Sequence, residues 1–464
     1  MGQGSAAFAA AIKANGLGKK TVMIGKNATE GTTLGGTCLN VGCVPSKRLI
    51  TVASFLESLK DRRFRGIDYK FNGDVELGAI VKEKDDLVNG FRQSKYSNVL
   101  AGLENVTYIE GFGSLKSPNI VSVGKKEILA KKILIATGAR ASVPDVKGIE
   151  DIEYLTNETA LKLKKLPKSM IVVGGRALGL EFAQMFNRFG SKVTLLQRSS
   201  TIIPGWEPEI INHLTKYLRE EGINIQTNVT LNEIEGDGGA VRLKCEVDGK
   251  ASVLEAEKVL FATGRKPNIE KLNLDTIGIR QNKAGFVEVD RGMRTNIEGV
   301  YAAGDVTGEP MLETLAAKEG TIATLNALDG AKKEINLLEV PKAIFTDPEA
   351  ASVGLTDEEA AGKKIRCNCN ALPLELVAKA GIVSDTKGVI KIVIDNKSHK
   401  ILGVHMLAPH AADLIHEGVL AVKFGLTIDD IIDTVHVFPT LSEGFKLAAQ
   451  AFYQDISKLS CCTE

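Results

Sequence analysis

The stretch 35–47, GGTCLNVGCVPSK, constrains this chain more than any other, because it sets Cys38 and Cys43 five residues apart. Five helical steps of about 1.5 Å would part the two Cα atoms by roughly 7.5 Å along the axis, beyond the usual reach of a disulfide. The backbone therefore has to bend if the thiols are to meet. Gly35, Gly36 and Gly42 supply that freedom, and Pro45 suits the first turn of a helix continuing through Ser46, Lys47, Arg48 and Leu49. A thiol at such a helix start is acidified by the amide dipoles, and Lys47 adds a positive charge. Cys43 is thus the expected thiolate of a reducible pair.

The remaining composition narrows the setting. A chain of 464 residues, 44% of them hydrophobic, has the length for about two to four domains. Its 58 basic and 57 acidic residues give no electrostatic case for nucleic acid or an anionic membrane surface. There is no run of about twenty apolar residues, and the opening MGQGSAAFAAAIKANG has no basic n-region, so a cytoplasmic location is expected. Seven cysteines are too few and scattered for a secreted scaffold, and a reducing compartment suits thiols that cycle.

Two glycine turns point to nucleotides. Gly2, Gly4 and Ala7 form G-x-G-x-x-A at the start of a helical run, followed by the apolar strand Thr21 to Ile24, so that a pyrophosphate could approach the helix N-terminus. No strand precedes Gly2, and Gly25 stands where an acid would hold the ribose; Glu30 is the only nearby substitute. The second turn, in MIVVGGRALGLEFAQ, keeps Gly174 and Gly179 but has Arg176 at the middle position. Its second strand ends in Gln197 and Arg198 instead of an acid, which favours the 2′-phosphate of NADPH. ATG occurs twice after β-branched strands, at Thr137–Gly138 and Thr263–Gly264, marking crossings between a first domain and an inserted second one.

The cysteine string, the two turns and GVYAAGDVTG around Asp305 together resemble the flavin-dependent pyridine nucleotide-disulfide oxidoreductases. The resemblance implies an α/β fold with two Rossmann-like nucleotide-binding domains and a C-terminal α+β dimer-interface domain. It assigns 1–145 and 265–337 to FAD, 146–264 to NADPH and 338–464 to the interface of a homodimer whose subunits share each active site. Cys43 would face the flavin and Cys38 the substrate. Lys47, paired with Glu181, would lie beside the flavin ring, where its charge can stabilise electron density and Glu181 offsets its burial. Gly2, Gly4, Ala7, Gly36, Thr37, Thr137, Gly138, Gly264 and Asp305 would surround FAD, and Gly174, Gly179 and Arg198 would hold NADPH.

The C-terminal end departs from the disulfide reductases of that family, which carry a histidine before the proline of H-P-T-x-x-E. Here VHVFPTLSEG has Phe438 at that place, keeps Pro439, Thr440 and Glu443, and puts His436 about 6 to 7 Å upstream if the segment is extended. Phenylalanine transfers no proton, and dithiol–disulfide interchange needs such transfer. The tail KLSCCTE offers Cys461 and Cys462, adjacent soft ligands for a thiophilic ion. That end resembles the family's mercury-reducing members, implying Hg(II) carried as a thiol complex, passed to Cys38 and Cys43, and reduced to Hg(0) at the expense of NADPH. A disulfide reductase of the dihydrolipoamide dehydrogenase type and a metal-sequestering flavoprotein without turnover are the competing readings. Cys367 and Cys369 form C-x-C without a second pair at zinc spacing and are read as having no function. Cys245, in an alternating strand, is read as inert.

Overall fold

The structure is a computed structural model and describes residues 1–26, 34–60, 64, 66, 73–236 and 238–458. Its first helix, Ser5–Gly16, is lined with buried alanines at 6, 7, 10, 11 and 14. This small-residue face admits the helix Glu313–Leu328 so closely that a Cβ on Gly320 would stand 2.1 Å from the Ala6 carbonyl oxygen. Beneath lie two parallel strand pairs, Thr21–Gly25 with Val106–Glu110 and Ile133–Ile135 with Val300–Ala302. Met1 and Gly2 bridge them: Gly2 N donates to Ile24 O at 2.8 Å, and Ala136 N donates to Met1 O at 2.8 Å. These two residues occupy the place where a strand before Gly2 would end.

The second parallel sheet runs in the order Asn224–Gln226, Lys192–Leu196, Ser169–Val173, Lys258–Phe261. Met170, Ile171, Val172 and Val173 are all buried, as a strand covered on both faces demands. Chain entry and exit lie side by side, because Ala139–Ala141 pairs antiparallel with Arg265–Pro267. Both ATG turns therefore sit at one junction.

The C-terminal part is a five-stranded antiparallel sheet ordered Lys342–Ile344, Glu349–Gly354, Ile401–Ala408, Val389–Asp395, Cys367–Pro373. Side chains alternate across it. Ile390, Ile392 and Ile394 join Phe445 and Ala448 of the helix Glu443–Gln450 in one core. Lys391 points the other way, and its ammonium meets Glu207 Oε2 at 2.7 Å at the start of the helix Pro208–Glu220. That buried ion pair ties the sheet to the helix Pro208–Glu220, which packs beside the second parallel sheet. Among the described residues no helix is long and apolar enough to cross a membrane.

Candidate active site

The bend required by the cysteine spacing is a helix break. Gly36–Val41 ends at Gly42 (φ −126°, ψ −119°), and a new helix, Cys43–Ser58, begins with Cys43. A Cβ on Gly42 would lie 2.9 Å from the Thr37 carbonyl oxygen, so this glycine is needed for room and not for a left-handed φ. Both cysteines are free thiols, Cys43 exposed and Cys38 half-buried. They share a hydrogen bond, and its effect on them is opposite. The bond from Cys38 pulls the Cys43 thiol down to about 7, aided by the charge of Lys47 and opposed by burial and by Glu181 and Glu313. Donating that bond, and burial, push Cys38 far upward. Cys43 is thus the member of the pair that gives up its proton first.

Lys47 follows one helical turn later. Its Nζ lies 2.6 Å from Glu181 Oε2 and 4.5 Å from the centre of the Phe345 ring. The other carboxylate oxygen, Oε1, accepts from Phe345 N at 3.0 Å. Packing fixes this contact, since Leu49, Ala53 and Leu56 share a buried core with Leu180, Phe182 and Phe186 of the helix Ala177–Phe189. Glu181 is nearly buried, with 6% exposure, so a partner for its charge is an energetic requirement.

The first glycine turn is a cradle that side chains would fill. Gly2 (φ +134°) would place a Cβ 2.0 Å from Ala136 O, and Gly36 (φ +63°) would place one 2.7 Å from the Cα of Gly4. Gly4 caps the Ser5–Gly16 helix, in which Ala7 is buried. Nearby, the Thr137 hydroxyl is buried without a hydrogen-bond partner, and Gly138 (φ +70°) and Gly264 (φ +109°) face open space. Asp305 Oδ2 lies 3.5 Å from Arg265 Nε, and Arg265 also reaches Thr37 Oγ1 at 3.4 Å. Burial raises the Asp305 carboxyl, with Arg265 opposing the rise. A bared helix start, an unpaired buried hydroxyl and a half-buried acid fit a dinucleotide such as FAD. Arg265 escaped the sequence reading, although it directly follows the second ATG.

At the second turn a Cβ on Gly174 (φ +116°) would lie 2.3 Å from Ala262 O, and one on Gly179 would lie 1.7 Å from Gly174 O. Arg176, between them, has extended backbone (φ −97°, ψ −175°), so its conformation does not require glycine. Its guanidinium points to Glu309 at 3.3 Å. Gln197 is buried and braces the turn, accepting from Gly175 N at 2.8 Å, whereas Arg198 is exposed just beyond. Gly25 in the first domain likewise gives way to neighbours: a Cβ there would strike Gln3 Oε1 at 2.4 Å and Tyr108 OH at 2.7 Å. Two polar side chains occupy the space of the expected acid.

Phe438 is 51% exposed, between exposed Val437 and half-buried Pro439. His436 is committed elsewhere, its Nε2 at 2.8 Å from Glu417 Oε1 and its Nδ1 at 2.9 Å from Thr434 O. Glu443 keeps a buried carboxylate oxygen with no hydrogen-bond partner. Burial raises its carboxyl, with the charges of His436 and Lys446 opposing. Glu417 and Glu313 were not legible as site neighbours, because each sits in an ordinary helical pattern far along the chain. Glu30, Cys461 and Cys462 lie outside the described residues.

A thiol pair with one acidified member, a Lys–Glu pair behind it and a nucleotide-fitting turn on each side define a two-nucleotide thiol oxidoreductase. Residues 1–320 match the family model described as pyridine nucleotide-disulphide oxidoreductase, and residues 340–449 match its dimerisation domain. The chain belongs to the pyridine nucleotide-disulphide oxidoreductase family, whose members use FAD and NAD(P)H. It is 41% identical over 464 residues to a protein from Bacillus cereus named mercuric reductase, covering 100% of this chain and 72% of that protein. It is 35% identical over 468 residues to a mitochondrial dihydrolipoyl dehydrogenase of Pisum sativum, covering 98% and 90%. Its fold is similar to the solved Cu(II) complex of the HOCl-induced flavoprotein disulfide reductase RclA from Escherichia coli, with a TM-score of 0.86, 27% identity and 98% of each chain covered.

Proposed function

We propose that this chain is a cytoplasmic, homodimeric mercuric reductase that reduces Hg(II) to Hg(0) with NADPH. The observation that carries the reading is Phe438, combined with the engagement of His436 by Glu417. Interchange with an organic disulfide requires a group that moves protons to and from the substrate thiols, and phenylalanine has none. A mercuric bis-thiolate needs no such group: two electrons release Hg(0), and both sulfurs depart as thiolates. The relatives named mercuric reductase support the same substrate.

Gly2, Gly4, Ala7, Gly36, Thr37, Thr137, Gly138, Gly264 and Asp305 hold FAD, and Gly174, Gly179 and Arg198 hold NADPH. Bound there, the two cofactors supply a path for a pair of electrons to the cysteines. Cys43, the more acidic thiol, and Cys38 bind Hg(II). Lys47 holds positive charge beside them, and Glu181 fixes its position. Cys461 and Cys462 from a second copy exchange Hg(II) away from a carrier thiol before it enters the inner pair. Residues 1–145 and 265–337 form the FAD domain, 146–264 the NADPH domain and 338–464 the interface domain.

Steady-state NADPH oxidation by FAD-loaded protein tests this, with Hg(II) plus excess thiol set beside lipoamide and glutathione disulfide. Turnover should depend on Hg(II), and changing both Cys461 and Cys462 to Ala should depress it under excess thiol without slowing flavin reduction by NADPH. Arg198→Glu should weaken the preference for NADPH. Lipoamide turnover matching that with Hg(II) would move the assignment to a disulfide reductase. Oxidation dependent on neither substrate would mean sequestration without turnover.

A further inference from the structure

The sequence reading set Cys367 and Cys369 aside, and the sheet gives them a different standing. The strand Cys367–Pro373 is the outer edge of the five-stranded sheet. Residues two apart on a strand share a face, so both thiols emerge on the same side, in line with Ala371, which pairs with Lys391. The thiols interact with each other, and Cys367 Sγ lies 4.0 Å from the Asp357 carbonyl oxygen. Both are half-buried. Four inter-strand spacings of about 4.8 Å, roughly 19 Å, separate this edge from Lys342–Ile344, the opposite edge, which leads into Phe345 beside Lys47.

The charge around this face is unbalanced. Lys391 Nζ is shared by Glu207 at 2.7 Å, Glu209 at 2.9 Å and Asp357 at 3.0 Å. His405, fully buried on the next strand, is held neutral by burial, its pKa lowered to about 4. One ammonium thus faces three carboxylates. The metal ligand is the thiolate, so a cation that binds between the two sulfurs displaces their protons.

We infer that Cys367 and Cys369 form a second metal site, a two-coordinate bis-thiolate for a thiophilic d¹⁰ cation, Hg(II) or Cu(I). The ligand count selects this class. Among the described residues no group of three or more His, Cys, Asp or Glu is placed to hold a metal, so a closed tetrahedral zinc site is not available. A linear sulfur–metal–sulfur unit needs only the pair, with sulfurs spaced about 4.7 Å apart, twice a metal–thiolate bond of about 2.3 Å. Loading is an exchange: two bonds from Hg(II) to small thiolates break, two bonds to Cys367 and Cys369 form, and the two protein protons leave on the displaced thiols. No oxidant or reductant takes part. The site stands whether or not Hg(II) is turned over at Cys43.

The test removes the other thiol pairs. FAD-loaded protein carrying Cys38→Ser, Cys43→Ser, Cys461→Ser and Cys462→Ser is dialysed to equilibrium against Hg(II) with excess free cysteine. It should retain about one equivalent, and adding Cys367→Ser and Cys369→Ser should abolish retention. Equal retention by both proteins overturns the proposal. Should the multiple variant fail to fold, wild-type FAD-loaded protein without NADPH is labelled with iodoacetamide and its peptides weighed. Hg(II), and Cu(I) in a parallel arm, should protect the peptide bearing Cys367 and Cys369 at least about tenfold, whereas Zn(II) should not. Labelling unaffected by Hg(II), or equal protection by Zn(II), overturns it.

Discussion

Two thiol pairs in this chain stand on different backbones. Cys38 and Cys43 flank a break at Gly42, so Cys43 opens a new helix while Cys38 sits in the preceding one. Cys367 and Cys369 are two steps apart on one edge strand, where neither has a helix terminus. The first pair has Lys47 one turn away from Cys43. The second has Lys391, but three carboxylates already claim that ammonium. The outcomes diverge: the bond from Cys38, helped by Lys47, draws Cys43 down to about 7, whereas burial and the neighbouring Cys367 push Cys369 up to about 12 against the opposing charge of Lys391. A difference between partners suits electron transfer through one reactive sulfur, whereas two sulfurs on one face of an edge strand suit a ligand clasp. Sulfur count and spacing in sequence do not separate these roles; burial and the bond each thiol makes do.

The largest expected effect removes the reactive member. Cys43→Ser should lower Hg(II)-dependent NADPH oxidation by at least about a thousandfold. FAD content, read from the ratio of flavin to protein absorbance, should stay unchanged, because the glycine cradle and Asp305 do not involve the thiol. Flavin lost together with activity would take away the basis for a redox role distinct from a structural one.

Next in size is the contrast between the pairs in one protein. At pH 7 about half of Cys43 is thiolate, while Cys369, five units higher, is so at about one part in 10⁵. The greater intrinsic nucleophilicity of a more basic thiolate returns a little under half of that deficit on the logarithmic scale. Iodoacetamide should therefore label Cys43 in the reduced protein two to three orders of magnitude faster than Cys369. Comparable rates, read by mass spectrometry of the peptides, would erase the comparison.

A smaller effect concerns proton supply to the redox pair. Phe438→His should raise lipoamide or glutathione disulfide reduction by about tenfold or more from whatever level the wild type shows. Metal retention at Cys367 and Cys369 should be unaffected. No gain would mean that Phe438 does not lie beside the substrate thiol of a second copy, and that the acid-base argument for Hg(II) fails.

Much of this fold is legible in the sequence, and the rest is hidden for physical reasons. Cysteine spacing with Gly42 and Pro45 demanded a bend at that place, and the helix break is there. β-branched runs marked the strands before the two ATG turns, and the short strands that follow those turns pair side by side. Side chains meeting across long separations were not legible from pattern. Lys47 and Glu181 are 134 residues apart, and only the family resemblance paired them. Arg265 reaches Asp305 and Thr37 because its strand crosses the domain junction, which no local periodicity shows. His436 was placed by strand geometry on the side of Phe438, but a carboxylate within reach, Glu417, decides where its ring turns. Cys367 and Cys369 looked inert because spacing alone reveals neither a sheet edge nor the carboxylates that reach Lys391 from two other elements.

The finest test separates the two causes that acidify Cys43. Its bond from Cys38 is the larger, and the charge of Lys47 is the smaller favourable contribution, with Glu181 opposing. Labelling of Cys43 should rise with pH through a midpoint near 7, since the thiolate is the reactive form. Lys47→Met removes the cation and leaves the opposing carboxylate, so the midpoint should move upward by about one unit, equivalent to about 1.4 kcal/mol. Lys47→Met combined with Glu181→Gln removes both charges and should fall between that variant and the wild type. Cys369 labelling should not respond to either change, because Lys391 and Asp357, not Lys47, are the charges that act on it. A midpoint unmoved in both variants would leave the Cys38 bond as the whole cause. The difference between the two thiol pairs would then rest on the helix break alone, without help from the Lys–Glu pair.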